Sequence, residues 1–182
     1  MYDKLTFVLI IYLIYINLYP GYFNYLPSIH VYPNNNNDLC ILKQEISTRT
    51  LEDISFFNKT NRSVASAFLP YVNDKEDDLN IVLHSQDRII LFFKYLINRR
   101  RPYQIDNTIK PLSTKTSQTP AYPAGHAYQA LLLAHHLSRK YPEKKNLFDN
   151  LAKKCNDCRV KAGIHYNSDG RFSKQLFDIF NK

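Results

Sequence analysis

Residues 122–141 read YPAGHAYQALLLAHHLSRKY, and this stretch decides the fold class. From His126 onward the pattern is that of a helix, and the leucine triplet 131–133 requires burial on more than one side. Pro142 stops the helix, because proline cannot continue the backbone bonding. The spacing predicts a helix before it, over 79–98, whose apolar residues Ile81, Leu83, Ile89, Ile90, Phe92, Phe93, Leu96 and Ile97 supply more than one face. Pro102 is expected to end that helix. Another helix is expected from Glu143 to Ala162, and shorter ones over 47–57 and 61–71. No alternating strand pattern opposes them. The expected fold class is all-α, a helical bundle around a polar site.

The chain has 182 residues, 24 Lys+Arg against 16 Asp+Glu, and three cysteines. That length builds one domain with a real core, and the cysteine count excludes a disulfide scaffold. No apolar runs exist for several membrane spans. Residues 1–80 carry six basic and nine acidic side chains, and residues 81–182 carry 18 and seven. The second half therefore either presents a solvated basic surface or faces an anion: nucleic acid, lipid headgroup or phosphorylated small molecule. Aromatics gather in the N-terminal run instead of alternating with basic residues, which argues against nucleic acid.

Residues 5–19, LTFVLIIYLIYINLY, follow Lys4 as an apolar run shorter than a full span. No small-x-small cleavage site follows, so an uncleaved anchor fits better than a cleaved signal, with a buried N-terminal element as the alternative. PNNNND at 33–38 reads as a linker, NDKEDD at 73–78 as a solvated loop, and 103–124, rich in Pro, Ser and Thr, as a long functional loop. The expected organisation is an anchor or signal segment over 1–32 and a helical domain over 33–182.

Three segments carry chemistry. Lys94 and Arg101 are seven residues apart, two turns of one helix face. Lys94, inside the apolar LFFKYLI, must snorkel out or find an anion. Gly125 and His126 open a helix, where free N–H groups bind anions and glycine permits close approach; His126 there could protonate a leaving oxygen. Arg159, five residues, His165, three residues, Asp169 completes the set. An Asp beside a His fixes its tautomer and leaves the other nitrogen nucleophilic, and the arginine fork suits phosphate oxygens. Cys155-x-x-Cys158 lacks a second ligand pair and reads as packing, and His135 and His136 read as structural or surface residues.

In order and spacing these segments resemble the type 2 phosphatidic acid phosphatase/vanadium haloperoxidase superfamily, whose signature is Lys-x6-Arg-Pro, Pro-Ser-Gly-His and Ser-Arg-x5-His-x3-Asp. Lys94, Arg101, Pro102, Pro123, Gly125, His126, Arg159, His165 and Asp169 fall on it. Ala124 and Cys158 stand where the signature has serine. The match covers 88–172, and residues 1–80 add nothing to it.

The resemblance implies a helical phosphomonoesterase working without a metal ion or other cofactor. His165 would attack phosphorus to give a phosphohistidine, with Asp169 holding its ring. Lys94, Arg101, Arg159 and the Gly125 N–H would clamp the oxygens, and His126 would protonate the departing alkoxide and then activate water. The substrates implied are phosphatidate or related lipid phosphates, or soluble phosphomonoesters, at a membrane reached through residues 5–19 or in an exported compartment. Alternatives are a vanadium haloperoxidase with vanadate on His165, for which the chain is short, and a noncatalytic anion- or lipid-binding domain. The second leaves His126, His165 and Asp169 without a purpose.

Overall fold

The computed structural model describes residues 28–181 and five positions of the N-terminal run, 6, 8, 10, 11 and 14. The expectation of an anchor over 5–19 otherwise lies outside the described residues. The α-helices described are α1 (Asn35–Ser47), α2 (Leu51–Thr60), α3 (Ala65–Phe68), α4 (Glu76–His84), α5 (Asp87–Ile97), α6 (Pro102–Ile105), α7 (Gly125–Lys140), α8 (Lys145–Lys161) and α9 (Asn167–Phe180). Among the described residues there is no strand, so the fold is all-α as expected. No helix among them is long and apolar enough to cross a membrane.

The centre is α7 packed along α8. Leu133 and Leu137 are fully buried, and small residues (Ala130 and Ala134 on α7, Ala152 and Cys155 on α8) let the two backbones approach. Phe68 and Phe148 close this core with ring centroids 6.1 Å apart. Burying each large apolar side chain contributes roughly 1.5–3 kcal/mol. A second cluster joins α1 (Leu39, Leu42) to Ile109, Ala121, Val160 and Tyr166. It seats the N-terminal helix against the loop and the two turns that carry the polar site.

Several boundaries differ from expectation, each for a local reason. PNNNND is no linker: Asn34 caps α1 by accepting from the Asn36 N–H, and Asp38 is buried within the helix. The short N-terminal helices fall at 51–60 and 65–68, the first fixed by a Thr50–Asp53 capping box. Residues 79–98 are not one helix, since the chain breaks at Ser85–Gln86 between α4 and α5. Pro102 does not end α5. Asn98 does, in the left-handed conformation at φ 52°, and Pro102 instead starts α6. Asparagine tolerates that backbone better than most side chains.

Candidate active site

The turn after α5 governs the geometry. Lys94 lies in the last turn of the helix, while Arg101 lies beyond Asn98 in extended backbone (φ −68°, ψ 154°). The two cations therefore share no helix face; the left-handed turn folds Arg101 back toward Lys94. Both are buried. Lys94 neither snorkels nor meets a carboxylate within ion-pair distance among the described residues; its Nζ donates to the Pro120 carbonyl at 2.6 Å. Arg101 Nε donates to the Thr119 carbonyl at 2.9 Å, and Nη1 donates to the Ile164 carbonyl at 2.8 Å. The segment expected as a loop over 103–124 opens with α6, and its remainder, 106–124, holds the cations through its backbone.

The turn from α8 to α9 brings the third segment in. Gly163 at φ 77° reverses the chain, placing His165 ahead of α9 and Asp169 in its first turn. Asp169 Oδ2 accepts from His165 Nδ1 at 2.9 Å and from the Tyr166 N–H at 3.0 Å. Arg101 Nη1 lies 2.9 Å from His165 Nε2. A guanidinium can only donate, so Nε2 accepts and the ring hydrogen sits on Nδ1, facing Asp169. That is the tautomer in which Nε2 carries the free electron pair.

Arg159 is buried at the end of α8, its guanidinium 4.5 Å from the Phe57 ring centroid. Nη2 donates to the Thr60 carbonyl and Nη1 to Asn61 Oδ1 at 3.4 Å, while Nε is buried with no partner among the described residues. Gly125 begins α7 against the Lys94 stem, with its Cβ position 3.8 Å from Lys94 Cε. His126 follows, its Nε2 3.4 Å from the Asn61 carbonyl. The seven expected residues, Lys94, Arg101, Gly125, His126, Arg159, His165 and Asp169, thus come from three separated segments into one interior site.

Electrostatics follow from burial. It holds the Lys94 ammonium well below its ordinary value, and the Arg101 charge adds to the effect. Burial likewise depresses His165, reinforced by Arg101, Lys94 and Arg159, and depresses His126, reinforced by Arg159 and His165. Both rings are neutral unless an anion joins them. Asp169 is pushed up by burial, and Arg99 is the strongest group opposing that. Among the described residues, no His/Cys/Asp/Glu group could hold a metal ion.

Sequence reasoning missed Arg99, Asp38, and Asn61 with Thr60. The arginine triplet 99–101 was the available signal for Arg99, whereas nothing marked Asp38 within an asparagine run. Asn61 and Thr60 act partly through carbonyls, which leave no trace in side-chain identity. Cys155 and Cys158 are buried thiols, and burial pushes both above their ordinary value; they pack, as expected.

No family model matches the chain, and no curated protein matches it. Among solved structures it is similar to a crystal structure described as a transmembrane PAP2 type phosphatidylglycerolphosphate phosphatase from Bacillus subtilis. The TM-score is 0.52 at 18% identity, covering 81% of this chain and 87% of that one. The likeness shows the fold: this chain has the helical architecture of a PAP2 type phosphatase.

Proposed function

We propose that the chain is a phosphomonoesterase that works without a metal ion, through a phosphohistidine on His165, on lipid phosphates. The observation that carries this reading is a charge imbalance. Lys94, Arg101 and Arg159 are buried, and among the described residues none is ion-paired. The one carboxylate that acts on Lys94 and Arg101, Asp169, is already paired with Arg99. Three buried cations so under-compensated are costly, and a phosphate dianion beside a nucleophilic imidazole supplies the missing charge.

In this reading the phosphoryl oxygens take hydrogen bonds from Lys94, Arg101, Arg159 and the Gly125 N–H, and Arg101 exchanges His165 Nε2 for phosphate oxygen. Nε2 attacks phosphorus as the ester P–O bond breaks. Asp169 stabilises the charge that the ring acquires. The substrate's negative charge offsets Arg159 and raises the proton affinity of His126, which then protonates the departing alkoxide. His126 next takes a proton from water, whose oxygen displaces His165 from phosphorus and releases phosphate. Developing charge is stabilised by groups already oriented, the usual source of acceleration in phosphoryl transfer. The lipid assignment rests on the similar structure's described substrate and on the apolar run over 5–19, which also suggests a membrane location.

The test is chelator-treated protein assayed with phosphatidate, phosphatidylglycerolphosphate and p-nitrophenyl phosphate, followed by acid and alkaline quench of labelled substrate. Turnover with alkali-stable, acid-labile label on wild type, both lost in His165→Asn, is expected. Turnover that survives His165→Asn overturns the nucleophile. Halogenation dependent on vanadate and peroxide, without phosphatase turnover, would establish the haloperoxidase reading instead.

A further inference from the structure

Among the described residues Arg99 is the most heavily bonded buried cation, and the phosphatase reading leaves it without a task. It is fully buried. Nη1 donates to Asp169 Oδ1 and to Ser168 Oγ, both at 2.7 Å. Nη2 donates to Asp38 Oδ2 at 2.7 Å and to Asn35 Oδ1 at 2.9 Å. Its guanidinium lies 3.8 Å from the Tyr166 ring centroid and 4.4 Å from that of Tyr32. Ser168 Oγ closes the ring of bonds by donating to Asp38. The guanidinium is thus fixed on all sides and shared between two carboxylates, one holding the His165 ring and the other from α1.

We propose that Arg99 and Asp38 are positioning residues for His165: Arg99 keeps Asp169 an ionised acceptor so that His165 holds its hydrogen on Nδ1, and Asp38 anchors Arg99 while sharing its charge. This rests on the phosphatase reading of the site, and it makes α1 part of the working apparatus.

The argument is one of proton placement. A buried carboxyl beside an imidazole has two ways to satisfy the bond at 2.9 Å: as carboxylate accepting from Nδ1–H, or as carboxylic acid donating to a bare Nδ1. The second moves the ring hydrogen to Nε2 and removes the attacking electron pair. Burial favours the neutral acid. The groups facing the pair are Arg99 and Arg101 from the turn after α5, Lys94 from α5, Tyr122 from the loop, the Tyr166 N–H from the turn before α9, and Asp38 from α1 behind Arg99. Arg159 acts on His165 from α8 and His126 from α7. Lys94 and Arg101 are committed to phosphate in the reaction. Among the described residues, Arg99 alone holds a charge-assisted bond to the Asp169 oxygen that His165 does not use.

Two signs follow. Removing Arg99 raises the proton affinity of the His165–Asp169 pair, so the acid limb of kcat moves up in pH. Neutralising Asp38 leaves Arg99 more charge for Asp169, so the limb moves down. A packing role alone produces neither shift. The experiment takes the full chain as wild type, Arg99→Gln, Arg99→Lys and Asp38→Asn. It records kcat and KM against pH with p-nitrophenyl phosphate, and the tautomer of His165 from its ring 15N shifts. Arg99→Gln is expected to raise the acid limb by about one to three pH units. Below that limb its kcat should fall by roughly a hundredfold with KM unchanged, and its His165 hydrogen should move to Nε2. Arg99→Lys should hold the wild-type limb, and Asp38→Asn should lower it.

A uniform loss at all pH values with His165 still Nδ1-protonated overturns the proposal. If Arg99→Gln does not fold, Asp38→Asn decides: a limb that stays put or moves up overturns it. Wild-type protein without turnover would sink the phosphatase reading instead, and the 15N measurement judges the positioning role without reference to turnover.

Discussion

At the scale of single residues, Ala124 is where this site departs from the signature it resembles. It is buried at the mouth of α7, and its own backbone is engaged, with N–H to the Asp169 carbonyl at 3.3 Å and C=O to Ser173 Oγ at 2.9 Å. A serine hydroxyl there adds a hydrogen bond to a charged oxygen, about 1.5–3 kcal/mol. Ala124→Ser is therefore expected to raise turnover or tighten phosphate binding by about tenfold to a hundredfold, read from kcat and the inhibition constant for phosphate. The two site histidines make a second prediction. Folded, both bind protons less readily than the ordinary value of 6.5, so below that pH the unfolded chain takes up more protons. Their contribution to stability is complete above about 6.5 and is lost as pH falls below it. The urea midpoint should drop between pH 7 and 5, less steeply in His165→Asn and less steeply with phosphate present. Residues of this kind were legible because chemistry restricts their type and spacing. Arg99 and Asp38 were not: they meet across 61 positions of sequence, and only the folded chain shows that they belong together.

At the scale of elements, turns do the assembling. Sequence periodicity revealed α7 and α8 because both bury one long face, while the break between α4 and α5 and the stop at Asn98 rest on backbone conformation, which hydropathy does not encode. Gly163 is the second such joint. A Cβ at φ 77° is strained, and it would stand 3.1 Å from Ile109 Cγ2 and 3.5 Å from Pro111 Cα. Gly163→Ala should destabilise the protein by about 1–2 kcal/mol, seen in the urea midpoint. It should also lower kcat, because this turn sets His165 against Arg101. Gly170→Ala offers a contrast: its Cβ would meet only the end of the Asn156 side chain, at 1.9 Å. Asn156 can swing away, so the loss of stability should be smaller and kcat should hold.

At the scale of the whole molecule, the half that showed no resemblance turns out to be built into the site. Ser28 Oγ donates to the Asn98 carbonyl at 2.7 Å, the Ile29 N–H donates to the Ile97 carbonyl at 3.0 Å, and Tyr32 lies against Arg99. Removing residues 1–27 should leave turnover of p-nitrophenyl phosphate intact while abolishing sedimentation with phosphatidate vesicles. Removing residues 1–40 should lower turnover as well, since half of α1 goes with it, including the buried Leu39 and the bonds from Asn35 and Asp38 that hold Arg99. The long 106–124 segment, meanwhile, grips Lys94 and Arg101 through the carbonyls of Pro120 and Thr119. Peptide oxygens are the same whatever side chain they belong to. Apart from Ile109 and Ala121, which pack in the core, side chains of that segment can therefore be exchanged without loosening the grip, because the main chain alone does the holding.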